Sequence, residues 1–172
     1  MTFSPKPLVM TLVATGVAVL SAGIHPVPKL IWNASASVPI GLYRVLPVGD
    51  LAFADLVVVQ PPEPLASFLA NGGYLPRGVP LLKQIAALPG QTVCREGTAV
   101  TIDDVPFGNA QAHDHLGRLL PVWQGCLKLG GEQVFLLNPG RPGSLDGRYF
   151  GPLPTTSIIG LATPLWIFGE AS

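Results

Sequence analysis

Apolar positions in this chain follow two patterns. The first is a single unbroken run, Pro7 to Ile24, 18 residues without a charge. That length lies at the lower end of the ~17–25 residues a membrane-spanning helix needs. The second pattern follows it: short aliphatic and β-branched runs, each bounded by Pro, Gly or Asn, as strands and turns require. Tyr43–Leu46, Asp55–Val59, Leu81–Ile85 and Gln133–Leu137 read as strands, and Ser157–Ile167 as a last pair of strands. Gln91–Arg95 and Thr98–Ile102 predict a hairpin through Glu96-Gly97, with Asp103-Asp104 turning the chain onwards. Leu65–Leu69 has room for one or two helical turns, ended by Asn71-Gly72-Gly73. The expected fold is mainly β.

One stretch fits neither pattern: Asn33-Ala34-Ser35-Ala36-Ser37-Val38-Pro39-Ile40-Gly41-Leu42-Tyr43. Pro39 fixes its own φ and biases Val38 towards extended backbone. The segment is therefore predicted to be extended, with Ser35 and Ser37 on one side, and then to turn. Alone it reads first as a small-residue linker between an anchor and a domain.

The totals narrow the class. The 172 residues suffice for one domain with a terminal appendage, and 48% are hydrophobic against 12% charged. Net charge is zero with no Lys/Arg cluster, which argues against a nucleic-acid partner. The 20 Gly and 19 Pro are spread evenly, as many short strands and turns demand. Cys94 and Cys126 lack metal-ligand spacing and the chain has three histidines, so neither a metal nor a cofactor is expected. In an exported domain the two cysteines pair most simply as a disulfide; in the cytosol they are two buried thiols.

The first segment bears on that choice. Its apolar run exceeds a usual signal-peptide core and no A-x-A site closes it, which favours a retained anchor over a cleaved leader. Lys6 and the amino terminus favour the N-terminus inside, while Lys29 pulls the other way. The expected organisation is a short cytoplasmic N-terminus (1–6), a transmembrane anchor (7–24) and an exported β domain (25–172).

Three polar features interrupt the β pattern. Lys83 shares a strand face with Leu81 and Ile85, where it either snorkels from a strand edge into water or is buried with a lowered pKa. His113-Asp114-His115 sits in the turn-rich stretch from Asn109 to Pro121, with no third metal ligand nearby, and reads as surface. The loop from Asn138 to Pro152 carries Ser144, Asp146 and Arg148; the simplest reading pairs the last two with each other. A hydroxyl needs a base to become a nucleophile, and a desolvated lysine can serve where no histidine is positioned. Ser37 with Lys83 is the candidate dyad. The Ser37 N–H and Ser35 hydroxyl are candidate oxyanion donors, and Ser144 would orient the lysine.

The stretch S-x-S-V-P-x-G-L-Y-R, the segment L-L-K-x-I-A-A-L-P-G-Q and the loop S-x-D-G-R-Y-F-G-P stand in this order behind the apolar run. Together, from about Ile31 to Trp166, they resemble the type I signal peptidase family, and most of all its conjugative-transfer (TraF-type) branch. The resemblance implies Ser37 as nucleophile, Ser35 in the oxyanion hole, Lys83 as general base and Ser144 supporting the lysine. Asp146 and Arg148 match supporting positions. It implies an antiparallel β domain with a Ser-Lys site near a bacterial inner membrane, facing the periplasm, where Cys94 and Cys126 would be a disulfide. The implied partners are the lipid bilayer and a precursor with a signal peptide, in this branch a conjugative pilin, with head-to-tail cyclisation in some systems.

Three departures narrow the expectation. Housekeeping members carry S-M-x-P where this chain has Ser37-Val38-Pro39, and an Asp where Gln91 stands. They also have a much larger second β domain, for which this chain has no room. A dedicated substrate is therefore expected rather than general preprotein processing. The competing readings are a non-catalytic periplasmic β domain of a secretion or conjugation complex and, on the anchor and apolar composition alone, a lipid-surface binding module.

Overall fold

The structure, a computed structural model, describes residues 6–22 and 27–168. In chain order it contains α1 (Lys6–Ala22), β1 (Leu30–Asn33), β2 (Ile40–Leu46), β3 (Leu56–Val59), α2 (Glu63–Asn71), β4 (Leu81–Ala87), β5 (Thr92–Glu96) and β6 (Ala99–Ile102). Then come β7 (Val105–Asn109), β8 (Gly125–Lys128), β9 (Gln133–Leu137), α3 (Gly147–Phe150), β10 (Leu153–Pro154) and β11 (Ile158–Phe168). The expected anchor over 7–24 is helical to Ala22, and residues 23 and 24 lie outside the described residues. Among the described residues no helix is long and apolar enough to cross a membrane.

The strands form two antiparallel sheets. The larger has the order β1-β2-β11-β3-β4-β9-β10, and the smaller β7-β6-β5-β8. Val57, Val58 and Val59 are all fully buried because the larger sheet is covered on both faces here. Val57 and Val59 pack with Ile85, Leu136, Leu65 and Leu69 on one side, while Val58 packs with Leu82, Tyr43 and Val45 on the other. α2 caps the first face. Pro62 ends the extended chain before it, and Leu65 and Leu69, one turn apart, are its buried residues. A third cluster joins the sheets through Ala87, Phe135 and Leu137 on one side and Val93, Val100 and Ile102 on the other.

Two expectations are corrected. Ser157–Ile167 is not a pair of strands: Thr155–Ser157 is a 3-10 turn, and β11 is one strand threaded between β3 and β2. Pro164 interrupts the apolar run without ending it, because a register shift between Pro164 and Trp166 absorbs the missing N–H. Nor does Gly41 turn the chain; it lies in β2, opposite Asn33 and Ile167. Its lack of a side chain serves close approach, since a Cβ there would lie 2.1 Å from the Trp166 carbonyl oxygen. Gly41→Ala is expected to cost about 1–3 kcal/mol or more by forcing β11 away from β2, read as a lower midpoint in urea unfolding.

Candidate functional site

The serines sit where β1 passes into β2. Residues 35–38 form bends and a turn, so the predicted extended geometry is overturned. The turn, not a strand face, brings Ser35 Oγ and Ser37 Oγ to 2.8 Å. The cause is Asn33, at the buried end of β1. Its Oδ1 accepts from the Ser35 N–H at 3.2 Å and the Ser35 hydroxyl at 2.9 Å. Its amide nitrogen donates to the carbonyls of Ser35, Val38 and Pro39 at 2.8, 3.1 and 3.0 Å. The buried Tyr43 adds a hydroxyl bond to the Pro39 carbonyl at 2.6 Å.

Lys83 is only 2% exposed, midway along β4 between β3 and β9. Of the two sequence readings the structure takes the buried one. Lys83 Nζ donates to Ser144 Oγ at 2.7 Å. Burial lowers its pKa from 10.5 to about 8; the Asp146 charge pulls it up and the Arg148 charge pushes it down. Below about 8 the amine is protonated both folded and unfolded, and the full cost of burying the charge falls on the fold. Between about 8 and 10.5 the unfolded chain binds the extra proton, so stability rises with pH across that window.

Asn138 fixes the backbone on both sides of this lysine. It follows the last ladder residue of β9, Leu137 opposite Gln84. Its side chain accepts from the Gln84 N–H at 3.1 Å and donates to the Leu82 carbonyl at 3.2 Å. The same amide reaches Ser144 Oγ at 3.4 Å.

The loop that carries Ser144 is held by a buried ion pair. Arg148 Nε and Nη2 each lie 2.8 Å from a different Asp146 oxygen, a bidentate arrangement with both side chains almost fully enclosed. Burial alone pushes the guanidinium pKa down; the Asp146 hydrogen bonds and charge outweigh it and leave it raised. The Arg148 side chain also donates to the carbonyls of Asn109, Arg141 and Ser144 at 3.1, 2.8 and 3.2 Å. Arg95 of the smaller sheet donates to the Arg148 carbonyl.

These groups share one cleft of about 790 Å³, lined by Ser35, Ser37, Lys83 and Ser144 with Leu69, Leu75, Leu81, Leu120 and Leu145. Its far wall is the 109–121 stretch, and Gln111, His113 and His115 line it too. Both histidines, read as surface residues, therefore face the cleft. Asp114 between them organises the wall: it accepts from the Leu116 and Arg118 N–H groups, the Arg118 side chain and, at 2.7 Å, the Tyr74 hydroxyl. Burial works against ionisation there, yet these bonds hold the carboxyl well below the usual range. Asp146 and Arg148 do not line the cleft; they stand behind it. Among the described residues no hydrogen bond joins Lys83 to Ser37. Cys94 and Cys126 face each other across β5 and β8 and form a disulfide.

Sequence reasoning passed over Asn33, Asn138, Tyr43 and Arg95. For the two asparagines a signal existed: each closes an apolar strand ahead of Pro- or Ser-containing turn chemistry, where Asn bonds nearby backbone. Nothing local marked the other two.

A family description, "Signal peptidase, peptidase S26", matches residues 5–167. A probable conjugal transfer protein TraF of Sinorhizobium fredii is 34% identical over 91% of this chain and 88% of its own length. A plasmid transfer protein TraF of Escherichia coli is 30% identical over 87% of this chain and 90% of its own. A crystal structure of a signal peptidase I from Enterococcus faecalis covers 67% of this chain and 99% of that one, at 20% identity and a TM-score of 0.41.

The ion pair behind the cleft yields a stability prediction. Asp146→Asn leaves Arg148 buried without its counter-charge and is expected to cost about 3–5 kcal/mol in chemical unfolding.

Proposed function

The chain belongs to the signal peptidase family, peptidase S26, and on that premise we propose that it is a serine endopeptidase with a Ser37–Lys83 dyad. The observation that carries this reading is a buried lysine, its pKa near 8, opening into the same cleft as Ser37. At pH 7 roughly one Lys83 in ten is neutral, enough to act as a base that the protein regenerates.

In the proposed reaction, Ser37 Oγ attacks the scissile carbonyl carbon while Lys83 Nζ takes the hydroxyl proton. The carbonyl oxygen becomes an oxyanion, held by the Ser37 N–H and by the Ser35 hydroxyl once substrate turns it inward. Such a donor is worth about 2.7–4 kcal/mol. The C–N bond then breaks as Lys83 returns the proton to the departing amine, leaving an acyl ester on Ser37. Water, or an amine of the same peptide, attacks that ester with Lys83 again as base. Hydrolysis gives a linear product; attack by the amine gives a cyclic one. Ser144 orients the lysine, and the Asp146–Arg148 pair holds the loop that carries Ser144.

The proposed substrate is an exported precursor with a signal peptide, specifically a pilin-like precursor of a conjugation apparatus. Relatives bearing conjugal and plasmid transfer names support that class. The proposed location is a bacterial inner membrane, with an anchor over 7–24 and the β domain in the periplasm. The disulfide supports an oxidising compartment. Exposed apolar residues on α1, including Met10 and Leu12, support contact with lipid, as do exposed Trp32, Trp166 and Phe168 beside the serine turn.

The second reading, a non-catalytic β domain in a transfer complex, draws on the missing Ser37–Lys83 hydrogen bond. Contacts of this kind are often long without substrate and tighten when it binds, so the dyad reading is preferred. Co-expression with a short precursor encoded nearby tests it by mass spectrometry. Ser37→Ala and Lys83→Ala are each expected to abolish cleavage while the protein stays folded, and a cyclic product would be one water lighter than the linear one. Cleavage by a folded Lys83→Ala protein would refute the base. With wild type, the rate should rise with pH and level off above about 8, as the amine loses its proton.

A further inference from the structure

We infer that Asn33 is a positioning residue for the serine pair, setting both the shape of the turn and the direction of its hydroxyl protons. The inference rests on the proposed role of Ser37 as nucleophile. Asn33 is 7% exposed and engages three carbonyls, one backbone N–H and one hydroxyl, all within residues 35–39. Those partners fix the orientation of its amide, because carbonyls only accept and a backbone N–H only donates. No other side chain of this size offers an acceptor and a two-proton donor in one plane. Aspartate only accepts, leucine does neither, and glutamine is a methylene too long for bonds formed two residues away.

The proton count gives the direction. Asn33 Oδ1 carries no hydrogen, so the single Ser35 hydroxyl proton lies in the Ser35–Asn33 bond. The 2.8 Å contact between the serine oxygens must then use the proton of Ser37. The resting chain runs Ser37 to Ser35 to Asn33. Ser37 thus commits its proton to Ser35 along the turn, while Lys83 donates to Ser144. Attack requires Ser37 to swing its proton to Lys83. That releases a lone pair on Ser35, whose own proton can leave Asn33 for the oxyanion. Asn33 therefore holds the two serines in register at rest and gives up one bond as the reaction begins, keeping the three carbonyl bonds that fix the turn.

The test uses the full-length protein in detergent with a purified pilin-like precursor encoded nearby. It compares wild type, Asn33→Ala, Asn33→Asp and Ser37→Ala. Both Asn33 variants should lose about ten- to a hundredfold in kcat, the scale of a misplaced reacting group. KM should stay within about twofold, since Asn33 lies outside the cleft walls, and the pH at which the rate levels off should be unchanged because Asn33 does not touch Lys83. A loss confined to KM, or a wild-type kcat in either Asn33 variant while Ser37→Ala is inactive, overturns the inference and spares the nucleophile. An active Ser37→Ala protein removes the nucleophile reading itself. Exchange of the Ser35 amide proton, measured by NMR on wild type and Asn33→Ala, reports independently of any cleavage. Slow exchange in wild type and at least tenfold faster exchange in the folded variant support the role, and equal rates refute it.

Discussion

An amine in the middle of a β sheet must lose its proton or find compensation, and much of this structure follows from that requirement at Lys83. The residue cannot relocate, because its neighbours Leu82 and Gln84 are bonded both to the sheet and to the side chain of Asn138. It lines the cleft but exposes only 2% of its surface there. What remains is one hydroxyl acceptor, Ser144, and the opposed fields of Asp146 and Arg148, which partly cancel. Desolvation is left as the dominant influence, and a group ordinarily charged well past neutrality is brought close to it. The cost falls on stability and the gain is an accessible neutral amine.

The supports of the cleft differ in kind on its two sides. Behind the lysine, the tie is ionic and fully enclosed: Asp146 and Arg148 lock the loop, and Arg95 fastens it to the smaller sheet through the Arg148 carbonyl. The disulfide between β5 and β8 lies one residue from Arg95, so the covalent link stiffens the strand that supplies this tie. On the serine side the support is neutral: one asparagine and one tyrosine hydroxyl bond a tight turn of small residues. That difference suits the proposed tasks, since a nucleophile would have to change hydrogen-bond partners during reaction and a supporting loop would not.

The chain's periodic runs located most strands, the helix over Leu65–Leu69 and the apolar N-terminal segment, because alternation and run length are set by burial within a few residues. Three ordered motifs were enough to suggest the family. The same local logic failed where a residue answers to a distant one. Pro39 suggested extended backbone, but Asn33 bends the serine segment into a turn. Gly41 looked like a turn residue and is instead the slot through which β11 passes. Ser157–Ile167 looked like two strands and is one, with Pro164 absorbed by a register shift. His113 and His115 are exposed, as the sequence suggested, but the surface they occupy is the cleft wall.

By itself, then, the sequence determined the β character, the candidate serines and lysine, and the polar loop that follows β9, all from patterns confined to short windows. Only the tertiary structure decided that Lys83 is buried rather than snorkelling, since that depends on β3 and β9 closing on either side of it. It also decided that Cys94 faces Cys126 across two strands, and that Asn33 bonds the serine segment into a turn. Each of these is a matter of distance between groups far apart in the chain or of donor and acceptor counts, and hydrophobic periodicity carries neither.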